Sequence, residues 1–294
     1  MDQLSWPQRR TRFLVRRIRR LPAKRRQRAF ARRLDSVLAN RIEPPRTLDT
    51  RVFSMCGERS FLDAIVTLRS FLRHIGAPPT FTILSDGTLT DKHREQLEAN
   101  HPCVRVADIA GFRPLVAPET LALVDERLPN FAFALKLVLL LAASQSDEPA
   151  LYADSDVLFF PTPDVSPLLD FAGQLWYLPD CQRTLDPRLL TAQARDAAPV
   201  NAGFCLWGRR PDWSAALEPL RAFAGAPVHA SEQTLVHNLM HGSGARALPT
   251  DRYLLSVDDM IARDDLALRG SPVMRHYVLT VRYKMWLLPA SYYE

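Results

Sequence analysis

Residues 148–160 read Glu148-Pro-Ala-Leu-Tyr-Ala-Asp154-Ser-Asp156-Val-Leu-Phe-Phe160. An apolar run rises to two carboxylates separated by one residue and then turns apolar again. In an extended chain, side chains two apart point to the same face. Asp154 and Asp156 are therefore expected on one side of a strand end. Two like charges side by side in apolar surroundings repel unless a cation relieves them. Oxygen ligands favour a hard divalent ion.

Working outward, the preceding sequence alternates between strand-like and helix-like patterns. Arg51–Cys56 reads as a strand, and Phe61, Ile65, Leu68, Leu72 and Ile75 mark one helix face. Thr80–Leu84 is a short strand, Thr90–Asn100 a helix and Val104–Val106 a further strand. A helix around Lys136 precedes the strand Ala150–Ala153. Such alternation predicts an α/β fold with a mostly parallel, doubly wound sheet. Ligands bind at the carboxyl ends of strands in such sheets. Ser54–Gly57, Ser85–Gly87 and Asp154–Asp156 all fall there.

The chain has 294 residues, 47% of them apolar and 24% charged, enough for a substantial core. Its four cysteines are scattered and form no Cys-x-x-Cys pair, which argues against a disulfide framework and for a reducing cytoplasm. No stretch reaches the roughly 18 apolar residues that span a bilayer. Phe131–Ala143 comes nearest, is too short and holds Lys136 in its middle. No signal-peptide core opens the sequence.

The net charge of +6 is unevenly spread. Residues 1–46 hold 15 Lys/Arg and 3 Asp/Glu, a balance of +12, so the remainder carries −6. Leu14, Ile18 and Leu21, then Phe30, Leu34, Val37 and Leu38, follow helical spacing on either side of Pro22. Two short amphipathic helices are expected, ended by Pro44-Pro45. The expected partition is a basic helical arm over residues 1–46 and a catalytic domain over 47–294. One reading attaches residues 9–33 to an anionic membrane surface, with Trp6 and Phe13 as apolar anchors. Another packs the apolar stripe on the body. Nucleic acid is a third, and no recognisable motif accompanies the charge to support it. The expected location is cytoplasmic, at the inner face of a membrane if the arm binds lipid.

Asp154-Ser155-Asp156 in this setting resembles the Asp-x-Asp signature of nucleotide-sugar glycosyltransferases with the GT-A fold. Later segments resemble glycosyltransferase family 8 and its relatives, in order. Val200-Asn201-Ala202-Gly203-Phe204 is similar to the family's Asn-Ala-Gly segment. Glu232-Gln233 looks like its Asp-Gln pair, though Ser231-Glu-Gln is also an ordinary helix start. Arg275-His276-Tyr277, followed by Lys284-Met285-Trp286, resembles its His-Phe/Tyr and Lys-Pro-Trp segments. Here the gap from His276 to the Lys is longer by about two residues, and Met285 replaces Pro. The resemblance spans about residues 51–288 in perhaps five short segments.

The resemblance implies a GT-A central sheet flanked by helices, with the N-terminal basic extension outside it. It implies a metal site of Asp154, Asp156 and His276, holding Mn²⁺ or Mg²⁺, with the His nitrogen favouring Mn²⁺. Asn201 and Gln233 would act at the donor sugar. Ser54, Asp86, Lys136, Asp154, Gly203 and Lys284 would bind the donor, Lys284 by neutralising phosphate. For Asp86 a plain Asp-Gly turn is the competing reading; for Lys136 it is a helix's solvent edge. The implied reaction moves a sugar from a nucleoside diphosphate, UDP foremost, to a glycan, lipid or protein acceptor, with retention at the anomeric carbon. An inverting enzyme would need a base, for which Glu232, Asp180, Asp258 and Asp259 are available. Two rivals remain. A nucleotidyltransferase on the same fold would need a Gly-rich phosphate loop, and Cys56-Gly-Glu-Arg59 is glycine-poor. A catalytically inactive scaffold binding membrane or nucleic acid through its arm would release no nucleotide.

Overall fold

A computed structural model describes residues 20–129 and 132–294. Ala23, Phe30, Leu34 and Val37 recur at helical spacing and face inward on two consecutive helices, α1 (residues 20–32) and α2 (Leu34–Ala39). Pro22 lies inside α1, and the break expected there comes instead at Arg33. The anchors Trp6 and Phe13, with Leu14 and Ile18, lie outside the described residues, as does Phe131.

The chain then alternates as expected through β1 (Arg51–Cys56), α3 (Phe61–His74), β2 (Phe81–Ser85), α4 (Asp91–Glu98) and β3 (Val104–Ala107). Thr90 caps α4, its hydroxyl accepting from the His93 amide at 3.3 Å. Three helices follow, α5 (Ile109–Phe112), α6 (Pro118–Arg127) and α7 (Ala132–Ala143). β4 (Ala150–Ala153) leads through Asp154-Ser155-Asp156 into β5 (Val157–Phe159), and then come β6 (Leu175–Pro179) and β7 (Val200–Trp207). The remainder comprises α8 (Ser214–Arg221), α9 (Ser231–Gly242), β8 (Arg246–Ala247), β9 (Tyr253–Leu254), β10 (Met274–His276) and a 3₁₀ segment Arg282–Leu287.

Seven strands form the main sheet in the order β3-β2-β1-β4-β7-β6-β8. Pairings are parallel from β3 to β4 and between β6 and β8, and antiparallel on both sides of β7. The sheet is thus mostly parallel, with one reversed strand beside β4. Every residue of β4 and β7 is buried, which is why both read as unbroken apolar runs. Neighbouring residues of β1 serve opposite faces: Val52 packs with α3, and Phe53 with α7 and the β4–β7 underside. A second sheet, β5-β10-β9, carries the C-terminal part across the end of β4.

From residue 20 the basic segment belongs to this body. Phe30 meets Trp286 and Tyr293 edge-on, at ring centroid distances of 5.4 and 5.7 Å. Arg26 donates to the carbonyls of Leu287 and Leu288 at 2.6 and 3.2 Å, at the end of the 3₁₀ segment Arg282–Leu287. The N-terminal helix and the C-terminal segment therefore hold one another. Phe30→Ala empties a buried ring site and is expected to cost about 3 kcal/mol of unfolding free energy, read as a lowered urea midpoint.

Candidate metal and donor site

The two aspartates do not sit on an extended strand. Asp154 leaves β4 with its amide bonded to the Gly203 carbonyl at 2.8 Å, and a turn follows in which the Val157 amide meets the Asp154 carbonyl at 3.2 Å. The turn, rather than strand alternation, brings the carboxylates together. α3 supports it from below: Thr67 donates its hydroxyl to the Ser155 carbonyl at 2.8 Å, and the Ser70 hydroxyl accepts from the Phe159 amide at 3.1 Å.

β10 delivers the third group. It pairs antiparallel with β5, His276 opposite Val157, and the Tyr277 amide bonds the Asp156 carbonyl at 2.8 Å. Nε2 of His276 lies 3.1 Å from Asp156 Oδ1 and 3.8 Å from Asp154 Oδ2. One ligand atom from each of Asp154, Asp156 and His276 falls within 4.8 Å of the others.

The other imidazole nitrogen fixes the tautomer. Asn201 Oδ1 already accepts from the Gly203 amide at 2.9 Å, and its Nδ2 donates to Asp180 at 3.0 Å. The same Oδ1 lies 3.0 Å from His276 Nδ1, so Nδ1–H must be the donor. Nε2 is left facing the carboxylates, as a metal-binding His requires. Gly203 leaves the necessary room, since a Cβ there would lie 2.2 Å from His276 Cε1 and 2.6 Å from Asp154 Oδ2. The donor set, the tautomer and the space all fit a divalent cation.

Two further cations flank the triad. Lys136 is buried in α7, its Nζ 3.1 Å from Asp154 Oδ1 and 3.8 Å from Glu232 Oε1. It is no helix edge turned to solvent. Burial alone would depress its ammonium; the carboxylates of Asp154 and Glu232 reverse this and hold it above its usual range. Arg282 reaches Asp156 at 3.5 Å through Nη1, while its Nε donates to Asp63 at 2.7 Å. Burial would raise the Asp156 carboxyl, but His276, then Arg282 and Lys136, keep it below its ordinary value. Burial would lower His276, and Asp156 and Asp154 raise it instead.

Glu232 and Gln233 open α9 beside this cluster. Gln233 donates to Asp180 at 3.3 Å and to the Thr184 carbonyl at 3.0 Å. Glu232 is buried, and its Oε1 has no hydrogen-bond partner. Asp86 caps its own turn, accepting from the Thr88 amide at 2.9 Å, and leans over Gly57 where a Cβ would collide with it. Gly87 takes a positive φ of 93° in that turn, so the Asp-Gly reading is structurally real as well. Ser54 is buried within β1, two residues short of the strand end.

Lys284 is placed elsewhere. Its Nζ is buried against Asp259 Oδ2 at 2.9 Å and the Asp264 carbonyl at 2.6 Å. Arg275 completes that knot, bonding Asp259 at 2.7 and 2.8 Å and also Asp265. Lys284 is therefore not among the side chains at the Asp154–Asp156–His276 cluster, its ammonium being paired with a buried carboxylate. Arg282, which sequence reasoning missed, is a cation beside the triad, as Lys136 is. Tyr152 was missed too; its hydroxyl donates to Asp154 Oδ1 at 2.6 Å. Its signal was strand alternation, since it precedes Asp154 by two.

No family model matches the chain, and no curated protein matches it. Solved structures do. An active-site mutant of LgtC superposes with a TM-score of 0.53 at 14% identity, over 83% of this chain and 99% of that one. The galactosyltransferase LgtC with donor and acceptor sugar analogues gives 0.50 at 15%, with the same coverage. Mouse xyloside xylosyltransferase 1, in its apo form, gives 0.50 at 15%, over 81% of this chain and 99% of that one. The chain therefore has the GT-A architecture of nucleotide-sugar glycosyltransferases.

Two predictions follow from the charges. Burial pushes the Glu232 carboxyl from 4.5 up to about 7, with Lys136 offsetting only part of the effect. The native state then holds that proton more tightly than the unfolded chain, so this residue's stabilisation is full below pH 4.5 and lost as pH rises through 7. Chemical denaturation at pH 4.5 and 8 should show Glu232→Gln lacking a decline on the order of 3 kcal/mol present in the parent. Lys284→Met should lose about 3 kcal/mol of stability by breaking a buried pair. At a temperature where it stays folded, its donor KM should match the parent's, whereas a phosphate ligand would show a raised KM.

Proposed function

We propose that the protein is a metal-dependent, retaining glycosyltransferase that uses a nucleoside-diphosphate sugar, UDP-linked by preference. The observation carrying this reading is the Asp154–Asp156–His276 cluster at the carboxyl end of β4, with Asn201 setting the histidine tautomer, inside a GT-A fold. Mn²⁺ or Mg²⁺ held there would supply Lewis-acid stabilisation of the departing diphosphate.

The chain's own residues would then divide the work. Arg282, still 35% exposed at its side chain, would pair with phosphate beside the cation through guanidinium donors not turned to Asp63 or Asp156. Lys136 orients Asp154 through its ion pair. Gly203 and Asn201 shape the wall against the sugar, and Gln233, tethered to Asp180, lies along the same wall. Asp86 and Ser54, at or near the carboxyl ends of β2 and β1, take the base and ribose side.

Retention is supported by the state of the four carboxylates that inversion could use. Asp259 is locked by Arg275 and Lys284 and held at about 2, their bonds outweighing its burial. Asp180 holds two amide donors, Glu232 is buried beneath the cluster, and Asp258 bonds Ser256 at the surface. With Asp259 and Asp180 committed to other partners and Glu232 buried, the departing diphosphate oxygen would be the proton acceptor for the incoming hydroxyl.

The protein with Mn²⁺ and a panel of nucleotide sugars should release nucleoside diphosphate from at least one UDP-sugar. EDTA and Asp156→Ala should each abolish release, and Arg282→Ala should lower kcat/KM by on the order of 100-fold. Turnover surviving EDTA would exclude the metal site, and no release from any donor would favour an inactive scaffold.

A further inference from the structure

From residue 20 on, the apolar stripe of the N-terminal segment is already used: Ala23, Phe30, Leu34 and Val37 face the core. It is not available to enter a membrane. What α1 turns outward is a different surface. Leu21, Lys24, Arg25, Arg28 and Arg32 are all exposed and fall on one helical face by their spacing of three or four. Residues 3–34 contain no Asp or Glu. Leu21 is 56% exposed within this cationic ridge.

A second apolar point stands beside it. Leu279, in the turn after β10, is 79% exposed. It lines a groove of about 210 Å³ together with Ala23, Lys24, Gln27, Arg282 and Trp286. Arg282 is also the residue that touches Asp156, so the groove joins the ridge to the metal cluster through a single side chain. Two exposed leucines among clustered cations complement a surface that is anionic at its headgroups and apolar just beneath. A nucleic-acid surface would match the charge but not the leucines, and no exposed aromatic ring accompanies the ridge for base stacking among the described residues.

We propose that the outward face of α1, with Leu21 and Leu279, docks the protein on an anionic lipid bilayer. Because Phe30 and Arg26 fix α1 to the C-terminal segment, docking sets the orientation of the whole body. The groove and the catalytic cleft then open at the bilayer surface. If the sugar-transfer reading holds, acceptors carried by the membrane are the ones presented to it.

The test uses the full chain and no donor. Sedimentation with vesicles of phosphatidylglycerol and phosphatidylcholine should pellet the protein, and vesicles of phosphatidylcholine alone should not. Added salt should reverse the binding. The triple change Arg25→Gln, Arg28→Gln, Arg32→Gln should weaken partition by on the order of 100-fold, and Leu21→Ser with Leu279→Ser by roughly tenfold. Unchanged partition of the triple variant overturns the proposal. So does an RNA duplex that binds the ridge and displaces the protein from vesicles. Nucleotide release by the triple variant in vesicle-free solution should equal the parent's, so a failed dock and a failed catalytic reading are told apart.

Discussion

The rest of the molecule is arranged around the repulsion between Asp154 and Asp156. Two carboxylates in one turn are costly, and each group that relieves them comes from a different part of the chain: Lys136 from α7, His276 from β10 and Arg282 from the segment after it. None of these side chains could be placed by local structure. The β5–β10 register puts His276 opposite Val157, and a shift of one residue would present Arg275 or Tyr277 instead. The buried hydroxyls of Thr67 and Ser70 have the same purpose, since they satisfy backbone groups of the turn and of β5 that lie too deep for water.

The alternation of β10 separates two electrostatic systems. Arg275 faces one way, into the knot with Asp259, Asp265 and Lys284; His276 faces the other, toward the aspartates. The knot ties residues 259–265 to the strand and gives it a fixed position. Such buried clusters are a poor source of net stability, because desolvation cancels much of the attraction. Their geometric demands are strict, however, and a strand of three residues gains its alignment from them.

Much of this was legible in the sequence where a short motif and a local period coincide. Asp154, Asp156, Asn201, Gly203 and His276 were readable by type and order, and the structure brings them together. β1 to β4 and, between them, α3, α4 and α7 were readable from periodicity, whereas α5 and α6 were not read. The reversed direction of β7 was not, because a fully buried strand has the same apolar run in either direction. The fate of the basic segment was also hidden. Both a membrane-facing and a core-facing helix show an apolar stripe, and only the Phe30–Trp286–Tyr293 contacts, about 260 residues apart in sequence, distinguish them.

The placement of Lys284 has a counterpart in the sequence. The spacing from His276 to Lys284 exceeds the family pattern by about two residues, and two residues back from Lys284 stands Arg282. It is Arg282 that lies beside Asp156. An arginine there has physical sense. Arg282 must meet Asp63 with Nε and Asp156 with Nη1, two carboxylates on different sides of it. An ammonium is a single point of charge on a flexible stem, whereas a planar guanidinium offers several donors in fixed directions and stays ionised when partly buried. Asp63 is itself held by Trp286 Nε1 at 2.7 Å and Gln27 at 3.4 Å, so the orientation of Arg282 at the metal cluster depends on a helix at the opposite end of the sequence.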